Sequence, residues 1–281
     1  MVNEVQFARN GFARPVSSYQ AHSGAVNTGT SPKVQYAYAD GSGNTTRPTA
    51  MTYPDSRVID FDYGTAGSTA DAASRMESIK ESSVDLAKYA YMGLVAPVEV
   101  DYTEPDLRYT LVGTAGGDDP DTGDIYRGMD RFGRTKDSLW HDYGSATDAS
   151  RIQYGYDRVS SRTFRKDTLD TTDTYNSAYR YDGSHRLKCA ERGKLNSENT
   201  AVETLKFAEC WSLDQTGNWR HFRQDNNGDR SWNLTQTRTA NQVNEITDIA
   251  ETAAASWATP AYDPAGNMTI VPQQRPPSHC R

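Results

Sequence analysis

The sequence predicts an all-β protein made of β-hairpins that repeat along the chain. The first observation is a recurring phrase of two aromatic residues around a spacer, followed by aspartate, as in Tyr-Gly-Tyr-Asp at 154–157. The second is its spacing: successive aspartates from Asp130 through Asp263 are 27, 25, 32 and 49 residues apart. Self-similarity at such periods is typical of repeat architectures. The third is composition, with 17 tyrosines against 7 phenylalanines.

Each phrase also predicts the structure of one repeat. Side chains alternate between the two faces of a strand, so the two aromatics of Tyr-x-Tyr lie on the same face. The Asp-x-x-Gly-Asn that follows is typical of a tight turn, since Asp caps its own turn and Gly-Asn tolerates positive φ. A strand-like segment comes next, as in Met-Thr-Ile-Val at 268–271. One repeat is therefore a β-hairpin, and stacking of hairpins would bury the aromatic faces.

The copies differ in how closely they follow the phrase. The repeat-signature residues, to which we assign a structural role, are Tyr36, Tyr38, Asp40, Tyr154, Tyr156, Asp157, Tyr179, Tyr181, Asp182, Trp211, Asp214, Gly217, Asn218, Tyr262, Asp263, Gly266 and Asn267. Weaker copies lie at 61–63 and 129–134, and the gap of 49 residues predicts a degenerate copy at 232–246. Two departures stand out, since Ser160-Ser161 replaces Gly-Asn and Leu213 replaces the second tyrosine.

These units, with the His-Arg-Leu variant at 185–187, resemble the YD repeats of RHS (rearrangement hotspot) proteins, clearest over 34–63 and 130–271. The resemblance implies a long β-sheet that spirals into a hollow shell, often around a C-terminal toxin. The expected fold is thus a spiralling open sheet of stacked hairpins. The resemblance also carries an association with carbohydrate binding.

Three segments are expected along the chain. Residues 1–33 are rich in Gly, Ser, Thr and Asn and are expected to be an irregular N-terminal segment or edge strands. Residues 34–271 form the repeat array, and 272–281 form a Pro-rich C-terminal stub. Residues 71–80 suit either a short helix or a strand, 113–123 suit a loop, and 250–255 suit one helical turn. The last repeat has no partner after it, which favours a piece of a longer protein.

Charge and hydropathy exclude several classes of protein. The net charge is −7, and no Lys/Arg cluster provides the electrostatic footprint of nucleic-acid binding. No apolar run reaches the ~18–20 residues of a transmembrane helix, and the N-terminus lacks the pattern of a signal peptide. Hydrophobic residues make up only 36% of the chain. A single sheet with a tyrosine-rich face fits this composition better than a thick layered core.

The sequence predicts no catalytic residues, no metal site and no cofactor. His and Cys lack the spacing of a zinc site, and each repeat aspartate has a local role in its own turn. Asp118–Asp124 and Asp225–Asp229 resemble calcium loops, but solvated acidic turns are the favoured interpretation. Cys189 and Cys210 lie 21 residues apart, about one repeat, and are expected on neighbouring strands. Two buried free thiols are favoured there, with a disulfide as the alternative.

We therefore expect a non-enzymatic segment of an RHS-type shell or surface protein that encloses or displays another domain. Its partners would be neighbouring repeats or a C-terminal cargo domain of a longer, secreted or surface-attached chain. The alternative is a carbohydrate-binding surface that uses exposed tyrosines and tryptophans. The candidate tryptophans are Trp140, Trp211, Trp219, Trp232 and Trp257. Exposed, coplanar aromatics would favour glycan binding, whereas aromatics packed between repeats would favour the shell.

Overall fold

The computed structural model describes residues 3–39, 47–93, 96–111, 128–253 and 256–272. The chain divides into two compact units. Unit 1 comprises residues 1–134 and 138–149, and unit 2 comprises residues 135–137 and 150–281. Both are built from antiparallel strands that follow one another in sequence order. The prediction of an all-β fold of stacked hairpins is confirmed.

Unit 1 holds the first ten strands, each antiparallel to the next. They are β1 (Glu4–Arg9), β2 (Pro15–Ala21), β3 (Lys33–Tyr38), β4 (Pro48–Thr52), β5 (Val58–Asp62), β6 (Ser78–Glu81), β7 (Val84–Met92), β8 (Ala96–Tyr102), β9 (Leu107–Thr110) and β10 (Asp137–Asp142). Asp137, at the start of β10, is grouped with unit 2. One short helix, α1 (Thr69–Ala72), lies between β5 and β6.

Unit 2 continues in the same way. Its strands are β11 (Thr147–Tyr156), β12 (Arg162–Asp167), β13 (Ser177–Tyr181), β14 (Leu187–Leu195), β15 (Val202–Leu213), β16 (Trp219–Asp225), β17 (Leu234–Ala240), β18 (Ile246–Ala253), β19 (Ala261–Tyr262) and β20 (Met268–Ile270). The first three residues of β11 are grouped with unit 1. Strands β11 to β18 pair in succession, and β19 pairs with β20 in a separate two-stranded ladder.

The hairpins share one irregularity in their registers. In the β13–β14 hairpin, Tyr181 lies opposite Leu187 but Arg180 lies opposite Cys189, so one residue after the turn is bulged out. The same shift follows the turns of the hairpins β1–β2, β3–β4, β11–β12, β15–β16, β17–β18 and β19–β20. A bulge increases the local twist of a strand pair. The repeats are therefore alike in register as well as in sequence.

The core is thin, as the composition indicates. Ala178, Leu195 and Val202 form a buried cluster in unit 2, against which Phe164 and Leu205 pack. Elsewhere most strands bury only one or two side chains, such as Ile59 on β5 and Ile249 on β18.

Three expectations about segments differ from the structure or are refined by it. The segment 1–33 contains the hairpin β1–β2, because Asn10 organises a turn that the sequence analysis overlooked. Residues 71–80 are divided between the end of α1 and β6, and the helix begins where Ser68 Oγ accepts a bond from Asp71 N. The prediction of a helical turn at 250–255 is wrong for residues 250–253, because these residues complete β18 and pair with β17.

Candidate functional site

The feature that recurs most regularly is a five-residue turn that begins with Asp or Asn. In the turn 157–161, Asp157 Oδ1 accepts hydrogen bonds from the backbone N–H groups of Val159 (3.0 Å) and Ser161 (2.7 Å). The backbone N–H of Asp157 in turn donates to the carbonyl of Ser161 (2.9 Å). One carboxylate oxygen thus satisfies two N–H groups that the hairpin leaves unpaired, which is the chemistry of an Asx turn.

The same bonds form in seven turns of the described residues. They begin at Asn10, Asp130, Asp157, Asp182, Asp214, Asn241 and Asp263. The turn at 241–245 is the degenerate copy predicted at 232–246. Tyr53 begins a related turn without an Asx side chain, and there Asp55 accepts from Arg57 N. The turns at Asn10 and Tyr53 were not predicted from the sequence. The Asx side chain at the first position is the signal that could have revealed the turn at Asn10.

The fourth residue of each turn has positive φ whether or not it is glycine. Gly217 (95°) and Gly266 (82°) follow the expected pattern. Ser160 (71°), His185 (60°) and Asn244 (66°) take the same conformation with a side chain present. The replacement of Gly-Asn by Ser160-Ser161 therefore leaves the turn intact, because the Asx bonds rather than glycine define it.

In five of these turns the side chain of the fifth residue makes a further contact with the side chain of the first. Asn218 Nδ2 donates to Asp214 Oδ2 (3.1 Å), and this contact, with the Thr216 hydroxyl and two backbone N–H groups, lowers the pKa of Asp214 to about 2. Asn267 does the same for Asp263 (2.9 Å) and lowers its pKa. Arginine fills this role in the turns at Asp130 and Asp182, whose pKa values are also lowered.

The turn 241–245 carries the same contact in reverse. Asn241 supplies the amide and Glu245 the carboxylate, with Asn241 Nδ2 donating to Glu245 Oε2 at 2.7 Å. Amide and carboxylate are thus exchanged between the first and fifth positions. The contact is retained although both residues differ from the signature.

The second tyrosine of the phrase ties a hairpin to the one before it. Tyr181 Oη donates to the carbonyl of Arg162 (2.8 Å), the first residue after the preceding turn. Tyr156 makes the corresponding bond to Thr135 (2.7 Å), and Tyr38 bonds to Pro15 (2.9 Å). The hydroxyl of Tyr262 instead accepts from the N–H of Ile246 (3.1 Å). All four bonds lie at the same place in the repeat.

Neighbouring turns of unit 2 also bond to one another directly. Arg186 Nη1 donates to the carbonyl of Asp214 (2.6 Å), which links the turns 182–186 and 214–218. Asn218 Nδ2 donates to Asn244 Oδ1 (2.9 Å), which links the turns 214–218 and 241–245. The turn side chains thus continue the lateral contacts of the strands.

Arginine or neighbouring aromatic side chains pack against the first aromatic residue of the phrase in the repeats at Tyr154 and Trp211. The guanidinium of Arg162 lies 4.3 Å from the ring centre of Tyr154. Trp211 packs against Trp219 and Phe222, each 5.9 Å away. Trp219 is 41% exposed, but Arg238 lies over its ring at 4.8 Å. These rings pack on protein groups and do not form a bare aromatic platform.

The remaining signature residues are placed as follows. Tyr36 lies on β3 opposite Met51, and Tyr179 lies on β13 opposite Ala190. Asp40 falls outside the described residues. Leu213, in place of the second tyrosine, lies opposite Trp219. The weak copy at 61–63 does not form a repeat turn, since β5 ends at Asp62 and α1 follows.

The other candidate sites are the two acidic loops that resemble calcium loops. Both carboxylate oxygens of Asp225 accept backbone N–H groups, from Asn227, Gly228 and Arg230, which makes the loop a capped turn. The segment 118–124 lies outside the described residues. Within the described ranges, no group of three or more His, Cys, Asp or Glu side chains could hold a metal ion. No helix in the described part of the chain is long and apolar enough to cross a membrane.

The expectation of two free thiols is wrong. Cys189 and Cys210 lie directly opposite each other on β14 and β15, with Cα atoms 4.1 Å apart, and form a disulfide. Their placement on neighbouring strands is as the spacing predicts. The cross-strand register brings the two Cβ atoms together, which favours the bond over two separate thiols.

The fold is thus that of a repeat protein of stacked antiparallel hairpins, in which Asx turns connect the two strands of individual hairpins. It is similar to chains of a Photorhabdus luminescens Tc holotoxin pore (TM-score 0.52, 10% identity, 91% of this chain) and of a TcdB2-TccC3 crystal structure (TM-score 0.53, 11% identity, 93%). The TcdB2-TccC3-TEV structure matches over 99% of this chain at a TM-score of 0.52 and 11% identity. The chain spans about 13–14% of the length of those chains.

The resemblance to RHS-repeat proteins is thereby confirmed at the level of the fold. Neither a family model nor a curated protein matches the sequence.

Proposed function

We propose that the chain is a non-enzymatic structural segment of an RHS-type shell or surface protein that encloses or displays another domain. The observation that carries the proposal is the tyrosine bond between successive hairpins, as from Tyr156 to Thr135 and from Tyr181 to Arg162. Signature side chains that join one repeat to the next are suited to building a continuous protein shell. The similarity in fold to chains of Tc toxin structures supports the same role.

The partners in this proposal are neighbouring repeats and a cargo domain of a longer, secreted or surface-attached polypeptide. In the hairpin β19–β20, Met268 and Ile270 are 43% and 50% exposed. Exposed apolar side chains on a hairpin suit contact with a further repeat, since stacked repeats bury the faces of their neighbours.

Glycan binding is the weaker candidate. Trp219 and Trp232 are the most exposed tryptophans of the described residues, at 41% and 36%. Sugar rings stack on uncovered aromatic faces, and Arg238 occupies one face of Trp219. Trp140 is likewise engaged, since it stacks on Tyr102 at 6.1 Å with an interplanar angle of 8°. The packing of these aromatic side chains therefore favours the structural role over glycan binding.

The test uses the protein in its source cells. An antibody against this chain would isolate the native polypeptide, and its mass and particle shape would be measured by mass spectrometry and electron microscopy. We expect a polypeptide longer than the 31.2 kDa chain, in a hollow particle whose attached domain resists protease until the particle is unfolded. A mature protein of 31.2 kDa without an attached domain would overturn the proposal. Binding of that protein to a glycan array would favour the alternative.

A further inference from the structure

A groove on unit 2 has the Cys189–Cys210 disulfide in its lining. Its volume is about 340 Å³, and its other lining side chains include Ser212, His221, Arg223 and Trp232. Lys188 also contributes to the lining. The chain has more acidic than basic residues, 37 against 30, yet no carboxylate of the described residues lines this groove. It is therefore a locally basic groove with a disulfide bond in its lining.

We propose that this groove is a thiol-exchange site that selects anionic thiols and directs them to Cys210. Exchange begins when a thiolate attacks one sulfur of a disulfide and the other sulfur leaves. The attacking sulfur approaches along the line of the S–S bond, from the side opposite the leaving sulfur. The accessible side of each cysteine therefore determines which sulfur is attacked.

The strand order defines those two sides. The bond joins Cys189 on β14 to Cys210 on β15, and the next strand on the Cys210 side is β16. Arg223 lies on β16 directly opposite Cys210, and directly opposed side chains share a face. Its guanidinium has no carboxylate partner among the described residues. A thiolate that approaches Cys210 thus meets a free cation.

The side of the bond beyond Cys189 differs in charge and in access. Beyond Cys189 lies β13, where Arg180 is the opposite residue. The guanidinium of Arg180 is paired with the carboxylate of Glu191, so its charge is compensated. Cys189 is only 6% exposed, whereas Cys210 is partly exposed. Attack at Cys210 is therefore favoured by access, and Arg223 adds an uncompensated charge directly opposite that cysteine.

The reaction balances with two equivalents of thiol. The first thiolate forms a mixed disulfide with Cys210 and releases Cys189 as a thiolate, which takes up a proton. A second thiolate attacks the mixed disulfide, releases Cys210 and leaves as the oxidised thiol dimer. The two electrons that reduce the protein come from the two thiols.

The experiment compares the reactions of three thiols with the folded 281-residue chain. A Cys280→Ser background leaves only the two cysteines of the groove. The anionic thiol is 2-sulfanylethanesulfonate, the neutral one 2-sulfanylethanol and the cationic one 2-aminoethanethiol, each adjusted to the same thiolate concentration at low salt. Samples are quenched with N-ethylmaleimide over time and analysed by peptide mass spectrometry. We expect the anionic thiol to react fastest and its adduct to lie on Cys210, with the maleimide on Cys189.

The variants test the role of charge. Arg223→Gln should slow both the neutral and the anionic thiol, because each attacks as a thiolate. The anionic thiol attacks with a second negative charge and should be slowed about fivefold more than the neutral one, the effect of one unit charge at ~4 Å in water. The effect should shrink at high salt, because exposed charges are screened. Arg180→Gln is the matched control and should change neither rate. Circular dichroism and urea midpoints establish that both variants are folded.

Four results would overturn the proposal. They are maleimide on both cysteines without added thiol, the adduct on Cys189, equal rates for the three thiols, and an Arg223→Gln variant with the rate of the parent protein.

Discussion

The hydroxyl of Tyr181 donates a 2.8 Å hydrogen bond to the backbone carbonyl of Arg162, the first residue after the preceding turn. Tyr179, two residues earlier on the same face, has no hydroxyl bond within the described residues. The two tyrosines of one phrase therefore differ in role. The second joins the hairpin to its neighbour, while the first packs its ring on the sheet.

Removal of the Tyr181 hydroxyl should weaken this junction. Tyr181→Phe keeps the ring and loses one hydrogen bond, so we expect a loss of about 1 kcal/mol in the free energy of unfolding. Tyr179→Phe is the control and should stay within about 0.5 kcal/mol. Urea denaturation of both variants provides the comparison. Equal midpoints for the two variants would show that the hydroxyl bond adds no stability.

The Asx side chain of a turn should tolerate exchange between acid and amide but not its removal. Asp157→Ala leaves the N–H groups of Val159 and Ser161 without their acceptor and should cost ~1–2 kcal/mol. Asp157→Asn should cost much less, because Asn10 makes the same two bonds in its own turn. Thermal unfolding of the two variants distinguishes them. A loss as large for Asn as for Ala would indicate that charge, not bond geometry, maintains the turn.

Substitutions at the fourth position of the turn should differ in their cost in stability according to how well the new side chain tolerates positive φ. Gly217 has φ of 95° and open space around its Cβ direction, so only backbone strain opposes a substitution. Gly217→Val should cost about 1–2 kcal/mol, whereas Gly217→Asn should be nearly neutral, since Asn244 holds this conformation in the next turn. Gly183→Ala, at a glycine without positive φ or close neighbours, is the control. Unchanged urea midpoints for the valine variant would refute the strain argument.

Acid should weaken the turns. The folded-state pKa of Asp214 is about 2, below its ordinary value of 3.8, mainly because Asn218 bonds to the ionised carboxylate. The resulting stability is present above the unfolded pKa and is lost as pH falls from about 4 towards 2. The thermal midpoint should therefore be flat above pH 5 and fall below pH 4, with a smaller fall in Asp214→Asn. An identical acid profile for this variant would exclude Asp214 as a cause.

The spacer of the Tyr-Gly-Tyr phrase in β11 should not accept a side chain. A Cβ at Gly155 would lie 2.3 Å from a ring carbon of Phe164, its cross-strand partner. Gly155→Ala should therefore cost roughly 1–3 kcal/mol from overpacking. Phe164→Leu combined with Gly155→Ala should cost less than the sum of the two single changes. Strict additivity in urea unfolding would show that the two side chains do not collide.

Much of the fold was predictable because the residues of the repeat phrase mark turns and strands locally. Aspartates such as Asp157 and Asp182 mark turns, and the aromatics before them mark strands. The double gap before Asp263 correctly indicated another turn, at Asn241. The turn at Asn10 was not predicted because the preceding strand, β1, lacks the paired aromatic residues of the repeat phrase.

The remaining errors have physical causes. The state of Cys189 and Cys210 depends on cross-strand register, which the turn and its bulge set and which spacing alone does not specify. The alanine-rich stretch at 250–253 has good intrinsic helix propensity, but pairing with β17 outweighs it. The tyrosine hydroxyl bonds were also beyond sequence analysis, since they join residues about 20 positions apart.

The reversed pair of Asn241 and Glu245 has a consequence for how such repeats evolve. An amide and a carboxylate can trade places only through two substitutions, and the intermediate holds either two carboxylates that repel each other or two amides that attract weakly. The first and fifth positions of a repeat should therefore covary across related genes. A profile that rewards aspartate at a fixed column would overlook units that made the exchange, and one that scores the two columns jointly would recover them.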